Sequence, residues 1–211
     1  MKNKHLKIIK HYEDCLLKHG DNHLGVDWPN SEDVDKRYNV MLDIIRVSNC
    51  ESENISLMDF GCGTAHLLEY INRKGYKKLD YSGLDISQKF IDVSRKKFRD
   101  NKFYCIDILN TTNTINNFDF FVLNGVFTEK RELSFDEMWN YFTKLISIVY
   151  EKCNNGVAFN VMSKSVDWER EDLFHLPLDI LSDFLCKKIT RNFIIRNDYG
   201  LYEYTVYLLK T

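Results

Sequence analysis

The stretch that most constrains this chain is a short apolar segment that runs into a glycine turn and then into an apolar helix. Leu57 to Phe60 reads as a buried strand, Gly61 and Gly63 flank a single residue, and a helical pattern follows from Leu67. Only a residue without a Cβ lets the backbone turn tightly and approach a ligand closely. This arrangement opens a pocket for a nucleotide-like ligand at the carboxyl end of a parallel strand, so it predicts an α/β protein.

Further apolar segments extend the pattern along the chain. The segment that follows the Gly turn and its helix ends in Asp85, a second acidic position after Asp59. The predicted parallel strands after the first are 79–85, 102–106, 118–123 and 157–162. The final segments, 191–196 and 201–210, flank an Asn-Asp-Tyr-Gly turn and predict an antiparallel hairpin.

The run Asp59-Phe60-Gly61-Cys62-Gly63-Thr64-Ala65 resembles the first motif of the class I S-adenosylmethionine-dependent methyltransferases. The resemblance continues through Asp85, Asp107-Ile108 and Asn124-Gly125, and by motif order it covers roughly residues 55 to 163. It implies a Rossmann-like, doubly wound, mostly parallel seven-stranded sheet with a C-terminal antiparallel hairpin and an N-terminal helical lid. The cofactor that it implies is S-adenosylmethionine, with S-adenosylhomocysteine as the product.

The resemblance also implies roles for individual residues. Asp59 would orient the methionine part of the cofactor, and Asp85 would hold the ribose hydroxyls. Asp107 would accept from the adenine amino group, although a turn cap explains an aspartate there equally well. The predicted cofactor-binding residues are Trp28, Arg37, Asp59, Gly61, Cys62, Gly63, Asp85, Ile86, Asp107, Ile108, Asn124 and Gly125.

Two of these residues lie in the N-terminal region, where helices are predicted over 3–19 and 32–46. Trp28 stands in a polar loop, and it is either a plug over the core edge or a lid over the pocket. Arg37 lies beside the apolar stripe of the second helix. A guanidinium can hold a carboxylate bidentately, so Arg37 is the best candidate for the carboxylate of the cofactor, and a solvated charge is the alternative.

The sequence gives weaker signals for the residues that would contact the methyl acceptor. Glu129 follows the fourth strand, and a polar, aromatic segment over 165–177 follows the fifth. Both lie at the same edge of the sheet as the Gly turn, so we expect substrate contacts from Glu129, Asp167, Trp168 and His175. His175, Asp167, Glu129 and His66, in that order, are the candidates for a general base. No catalytic residue is assigned, and no ligand spacing suggests a metal ion.

Length and charge limit the class of protein. A chain of 211 residues can bury one core. We therefore expect a single methyltransferase domain over 1–211, with a helical cap over 1–50 and a Rossmann-like core over 55–211. The net charge of −2 gives no electrostatic reason to expect a nucleic-acid partner. No apolar stretch is long enough to span a bilayer, and no secretory signal is visible, so we expect a cytoplasmic protein, with monomer and homodimer left open.

These expectations favour methyl transfer to an oxygen or nitrogen of a small-molecule acceptor. One alternative is a protein or RNA methyltransferase, which would require a recognition domain or a basic face. Another is a nicotinamide-dependent oxidoreductase or a non-catalytic nucleotide-binding domain on a related fold. His66 stands where the dinucleotide fingerprint requires a third glycine, which argues against the nicotinamide reading.

Overall fold

A computed structural model of the protein describes residues 6–110 and 115–210. The described helices are α1 (Leu6–His19), α2 (Ser31–Val47), α3 (His66–Lys74), α4 (Gln88–Lys97), α5 (Phe135–Lys152) and α6 (Leu178–Phe184), with a 3₁₀ turn over His23–Val26 and a π-helical turn over Leu185–Ile189. The strands are β1 (Ile55–Phe60), β2 (Leu79–Asp85), β3 (Lys102–Cys105), β4 (Phe118–Phe127), β5 (Cys153–Ser163), β6 (His175–Leu176), β7 (Phe193–Arg196) and β8 (Glu203–Leu209). Within this described part, no helix is long and apolar enough to cross a bilayer.

One sheet organises these elements, in the order β3-β2-β1-β4-β5-β8-β7. Strands β1 to β5 pair in parallel, and β8 runs antiparallel between β5 and β7. The predicted Rossmann-like sheet with its C-terminal hairpin is therefore confirmed. It has eight strands rather than seven, because the two-residue β6, which lies in a segment predicted as irregular, pairs with the end of β5.

Side chains alternate between the two faces of the central strands, and they build one hydrophobic core on each side of the sheet. In β4, Phe120 and Val122 face one side of the sheet, and Phe121 and Leu123 face the other. Residues of α2, α3 and α4 cover the first side, and residues of α5 and α6 cover the second. A strand covered on both faces reads as a continuous apolar run, which is why β4 was recognisable from its sequence.

Local signals placed most helix ends correctly. The run Ser134-Phe135-Asp136-Glu137 predicts a capping box at the start of α5. The Ser134 hydroxyl accepts from the Glu137 backbone N–H, and the Glu137 carboxylate accepts from the Ser134 N–H, so this capping box is confirmed. The apolar spacing after Pro177 predicts that Leu178 faces the core, and this prediction is wrong because Leu178 is exposed. The turn-forming residues over 111–117 predict that the crossover helix before β4 is short or absent, and residues 111–114 of that segment lie outside the described residues.

Helix α1 is held against the loops at the carboxyl ends of the strands. The Ser87 hydroxyl donates to the Glu13 carboxylate at 2.6 Å, and Lys89 pairs with Glu13 at 2.7 Å. On the same helix, the Tyr12 hydroxyl donates to the Gly125 carbonyl at 3.4 Å. These contacts set α1 as a lid over the glycine turn.

Candidate active site

A cavity lies over the glycine turn at the carboxyl ends of β1, β2 and β4, and we call it the glycine-turn cavity. It encloses about 1140 Å³ of empty space, its open mouth included. Its walls come from the turn after β1, from the ends of β2 and β4, from the segment after β3, and from α1 and α5. Its predicted residues are Trp28, Asp59, Gly61, Cys62, Gly63, Asp85, Ile86, Asp107, Ile108, Asn124 and Gly125.

The glycine turn is held to the neighbouring strand by backbone hydrogen bonds. The N–H groups of Gly61 and Cys62 both donate to the Leu84 carbonyl, at 2.7 and 3.0 Å. Gly61 has φ +75°, and a Cβ on it would lie 2.6 Å from Cγ2 of Val126. Both the backbone conformation and the lack of space therefore require glycine at this position.

Asp85 tightens the same turn with its side chain. Its carboxylate accepts from the backbone N–H of Gly63 at 3.0 Å and of Ser87 at 2.8 Å. Burial raises the pKa of Asp85, while these N–H donors favour the charged form. A carboxylate offers about four acceptor positions, so Asp85 keeps acceptor capacity toward the cavity.

Asp59 is buried at the end of β1 and is tied to β2. The Tyr81 hydroxyl donates to its carboxylate at 2.7 Å. Burial raises the pKa of Asp59 to about 7, and the hydrogen bond from Tyr81 opposes that rise. Asp59 can therefore hold a proton near neutral pH or give it up to meet a cation in the cavity.

Asn124 and Asp107 are two further polar residues on the cavity wall. Both amide atoms of Asn124 are buried and have no hydrogen-bond partner among the residues described. Unpartnered buried amides are rare in folded proteins, so these atoms indicate a polar ligand. The Asp107 carboxylate accepts from the Leu109 N–H at 3.1 Å, so the turn-capping role that the sequence left open is present beside its place on the cavity wall.

A second cavity, which we call the rim cavity, opens beside the first. It encloses about 1070 Å³, its mouth included, and Trp28 lines both cavities. The predicted substrate residues on its wall are Glu129, Asp167, Trp168 and His175. The Phe174 N–H donates to the Thr128 carbonyl at 2.8 Å, and this bond brings the segment after β5 back to the end of β4.

Arg37 lies in the rim cavity and not in the glycine-turn cavity. Its Nε donates to both carboxylate oxygens of Glu203, at 3.1 and 3.0 Å, and its guanidinium lies 5.2 Å from the centre of the Trp28 ring. A buried internal carboxylate on β8 therefore already pairs with the Arg37 guanidinium, and the role of Arg37 toward the cofactor carboxylate stays a prediction. The position of Trp28 is compatible with both a plug over the core edge and a lid over the pocket. Its ring centre lies 5.6 Å from that of Tyr38, and it also lines both cavities.

His175, ranked first as a base, has both ring nitrogens engaged. Its Nδ1 donates to the Ser163 carbonyl at 2.6 Å, and its Nε2 accepts from the Arg170 backbone N–H at 3.2 Å. With the proton on Nδ1, both ring nitrogens are used in ordering this loop, and the role of His175 as a base stays a prediction. His66, ranked last, is bonded to Asp21 at 2.7 Å and to Thr64 at 3.0 Å on the wall of the glycine-turn cavity.

Several polar wall residues were missed in the sequence. Asn160 accepts from the Gly125 N–H at 2.7 Å and donates to Glu203 at 3.0 Å, so it joins the end of β4 to the Arg37 pair. An asparagine inside the apolar run of β5 was a usable signal. No sequence signal pointed to Tyr12, because its hydrogen-bond partner Gly125 is distant in the chain.

A further cluster was also missed. His11, Cys15 and Asp27 are the one group of possible metal ligands found among the described residues, with their ligand atoms within 4.8 Å of one another. His11 and Asp27 are hydrogen-bonded at 2.7 Å. That bond explains the cluster without an ion, and the loop that brings Asp27 to α1 explains why sequence spacing did not reveal it.

Comparison with known proteins points to one class of enzyme. Residues 58–146 match the family described as a methyltransferase domain. A curated Mycobacterium tuberculosis (strain H37Rv) protein, Rv1506c, whose name places it among the methyltransferases, is 25% identical over 169 residues, which cover 79% of this chain and 99% of that protein.

Solved structures share the fold at low sequence identity. A plantazolicin methyltransferase, BamL, solved with a desmethyl-plantazolicin analogue and S-adenosylhomocysteine, has a TM-score of 0.66 and 12% identity over 99% of this chain and 91% of that one. The magnesium protoporphyrin IX methyltransferase of Synechocystis PCC 6803, solved with bound S-adenosylhomocysteine, has a TM-score of 0.63 and 13% identity over 98% of this chain and all of that one.

Proposed function

Because the chain is a class I S-adenosylmethionine-dependent methyltransferase by its fold, its family match and its curated relative, we propose that its two cavities divide one reaction between them. The glycine-turn cavity binds S-adenosylmethionine. The rim cavity binds a small-molecule acceptor, and a methyl group passes to an oxygen or nitrogen of that acceptor. The solved plantazolicin methyltransferase that carries S-adenosylhomocysteine together with a desmethyl-plantazolicin analogue supports this division.

The observation that carries the proposal is the path of the chain at the end of β4. Asn124, Gly125 and Val126 line the glycine-turn cavity, and Thr128 and Glu129, which follow closely, line the rim cavity. Trp28 lies on both walls. A donor in one cavity and an acceptor in the other would therefore meet beside this segment, and holding two reactants in line supplies much of the rate of a displacement.

The donor groups on the wall fit the proposed cofactor. Asp85 has acceptor capacity for a pair of ribose hydroxyls, and Asp59 is placed to meet the methionine end as an ionised carboxylate. The unpartnered amide of Asn124 supplies both a donor and an acceptor. When bound, the cofactor supplies an electrophilic methyl group on a sulfonium, and the residues described here bind, orient and shield it from water.

Calorimetric titration with S-adenosylhomocysteine, alongside NAD, tests the cofactor assignment. We expect binding of S-adenosylhomocysteine alone, and a loss of at least about tenfold in affinity in Asp85→Asn, which removes a charge-assisted acceptor worth about 1.5–3 kcal/mol. Asp80→Asn is the matched control, because Asp80 lies on the same strand and is exposed. Binding of NAD, or no binding of either ligand by the folded protein, would refute the proposal.

A further inference from the structure

The wall of the rim cavity carries an excess of carboxylates. Asp27, Asp33, Glu129, Asp167 and Glu203 lie on it. The fixed positive charges on the same wall belong to two guanidiniums, those of Arg37 and Arg170. The ionic character of the cavity therefore depends on which of these charges are already paired.

Both guanidiniums are paired. Arg37 and Glu203 form a bridge at 3.0 Å whose side chains are largely buried, so the two charges cancel. Arg170 pairs at 2.6 Å with Asp172, which lies outside the cavity wall. The Arg37 charge is therefore not available to an anionic acceptor, and Arg170 shares Asp172 with Arg131.

The negative charges of the remaining carboxylates are only partly balanced by nearby cations. Asp33 meets Lys36 at 3.0 Å and Asp27 meets His11 at 2.7 Å. Asp167 is exposed at the rim. The wall of the rim cavity is thus an anionic surface.

Glu129 adjoins the chain segment beside which the methyl transfer is proposed. It is 6% exposed and follows Thr128 at the end of β4. Arg131 lies 3.3 Å from it, but Arg131 also pairs with Asp172 at 3.2 Å. A buried carboxylate with a shared partner gains from a further cation.

Aromatic rings complete the lining. Trp168 is 69% exposed and Tyr202 is 59% exposed, and their ring centres lie 6.3 Å apart at the cavity rim. Trp28 already has a guanidinium over its face. Rings of this kind attract cations through their faces, so they favour the same class of ligand as the carboxylates.

We propose that the acceptor is a small-molecule amine that enters the rim cavity as its ammonium, with the nitrogen against Glu129. This assignment rests on the proposed function. Glu129 takes one proton from the ammonium, and the freed lone pair forms the nitrogen–carbon bond to the methyl group. The carbon–sulfur bond breaks and its electron pair stays on sulfur as a thioether, while the product leaves as a methylated ammonium and Glu129 holds the proton.

Binding of three matched probes to the protein saturated with S-adenosylhomocysteine tests the assignment: 2-phenylethylamine, 2-phenylethanol and phenylacetate, measured by calorimetry at pH 7. We expect the amine to bind at least about tenfold more tightly than the other two. Glu129→Gln should remove most of that preference, and Glu171→Gln, an exposed carboxylate outside the cavity, should retain it. Asp167→Asn, at the exposed rim, gives a second variant that does not disturb the core.

The outcomes separate the two proposals. If S-adenosylhomocysteine binds but the amine binds no better than the alcohol or the carboxylate, or does not bind at all, the amine assignment is overturned and the proposed function is untouched. If S-adenosylhomocysteine does not bind the folded protein, the proposed function itself fails. With the methyl donor present, mass spectrometry should detect the N-methylated amine and no methyl ether or ester.

Discussion

Arg37 on α2 and Glu203 on β8 form a buried ion pair across 166 residues of sequence, with Nε of Arg37 donating to both carboxylate oxygens. Asn160 on β5 donates to the same carboxylate. The pair therefore fixes α2 against the antiparallel end of the sheet, and it holds the Arg37 guanidinium over Trp28 between the two cavities.

Removing one partner of this pair should be costly. In Arg37→Met the Glu203 carboxylate, 3% exposed, loses its guanidinium, and we expect a loss of about 3–5 kcal/mol in the free energy of unfolding. The double variant Arg37→Met with Glu203→Gln should recover much of this, because no buried charge remains. Urea unfolding of the wild type and of the two variants measures these differences in the free energy of unfolding. If the single variant has normal stability but fails to bind S-adenosylhomocysteine, the result would instead support the prediction that Arg37 holds the cofactor carboxylate.

Two glycines with the same backbone conformation allow the effect of backbone strain to be distinguished from the effect of a lack of space for a Cβ. Gly61 and Gly75 have φ +75° and +73°, but a Cβ on Gly75 would meet nothing within 4 Å. We expect both alanine variants to lose about 1–2 kcal/mol of stability. Only Gly61→Ala should also lose binding of S-adenosylhomocysteine in calorimetry, because its methyl group displaces Val126, and adding Val126→Ala should restore part of the affinity. Equal binding by the two variants would contradict this account of the turn.

His175 should contribute to stability and not to proton transfer. His175→Gln cannot make both ring contacts, to the Ser163 carbonyl and the Arg170 N–H, so we expect a loss of about 1–3 kcal/mol in urea unfolding. The pH dependence of kcat/KM for methyl transfer should keep the shape of the wild-type profile. Loss of one limb of that profile in the variant alone would show that His175 is the base.

Asp59 should make the protein less stable as the pH rises toward neutral. Burial raises its pKa from 3.8 to about 7, so between about pH 4 and pH 7 the folded protein binds more protons than the unfolded chain. The stabilising contribution of protonated Asp59 is present in full below pH 4 and is lost as the pH rises through 7. Because each unit of pKa corresponds to about 1.4 kcal/mol, Asp59→Asn should gain up to about 4 kcal/mol relative to wild type across that range.

Denaturant unfolding at several pH values checks this difference. Asp80→Asn, on the exposed side of the neighbouring strand, should follow the wild-type curve. Parallel curves for Asp59→Asn and the wild type would mean that Asp59 titrates normally in the folded protein.

Signals that act over a few residues were readable in the sequence. The bounds of β2, the capping box of α5 and the continuous apolar run of β4 depend on neighbours within one turn or one strand, so each was predicted close to its observed place. The two-residue β6 was missed because it pairs with the end of β5, which is more than ten residues away in the chain.

By itself the sequence determined the alternation of strands and helices and the glycine turn, because spacing and the absence of a Cβ act locally. The class of enzyme followed from the resemblance of its motifs to a known family. Only the tertiary structure decided that Arg37 pairs with Glu203, that both nitrogens of His175 are occupied, and that the amide of Asn124 is left without a partner in the described chain. The free energy of a buried polar group depends on which atoms lie within about 3 Å of it. Packing sets those distances between residues far apart in the chain.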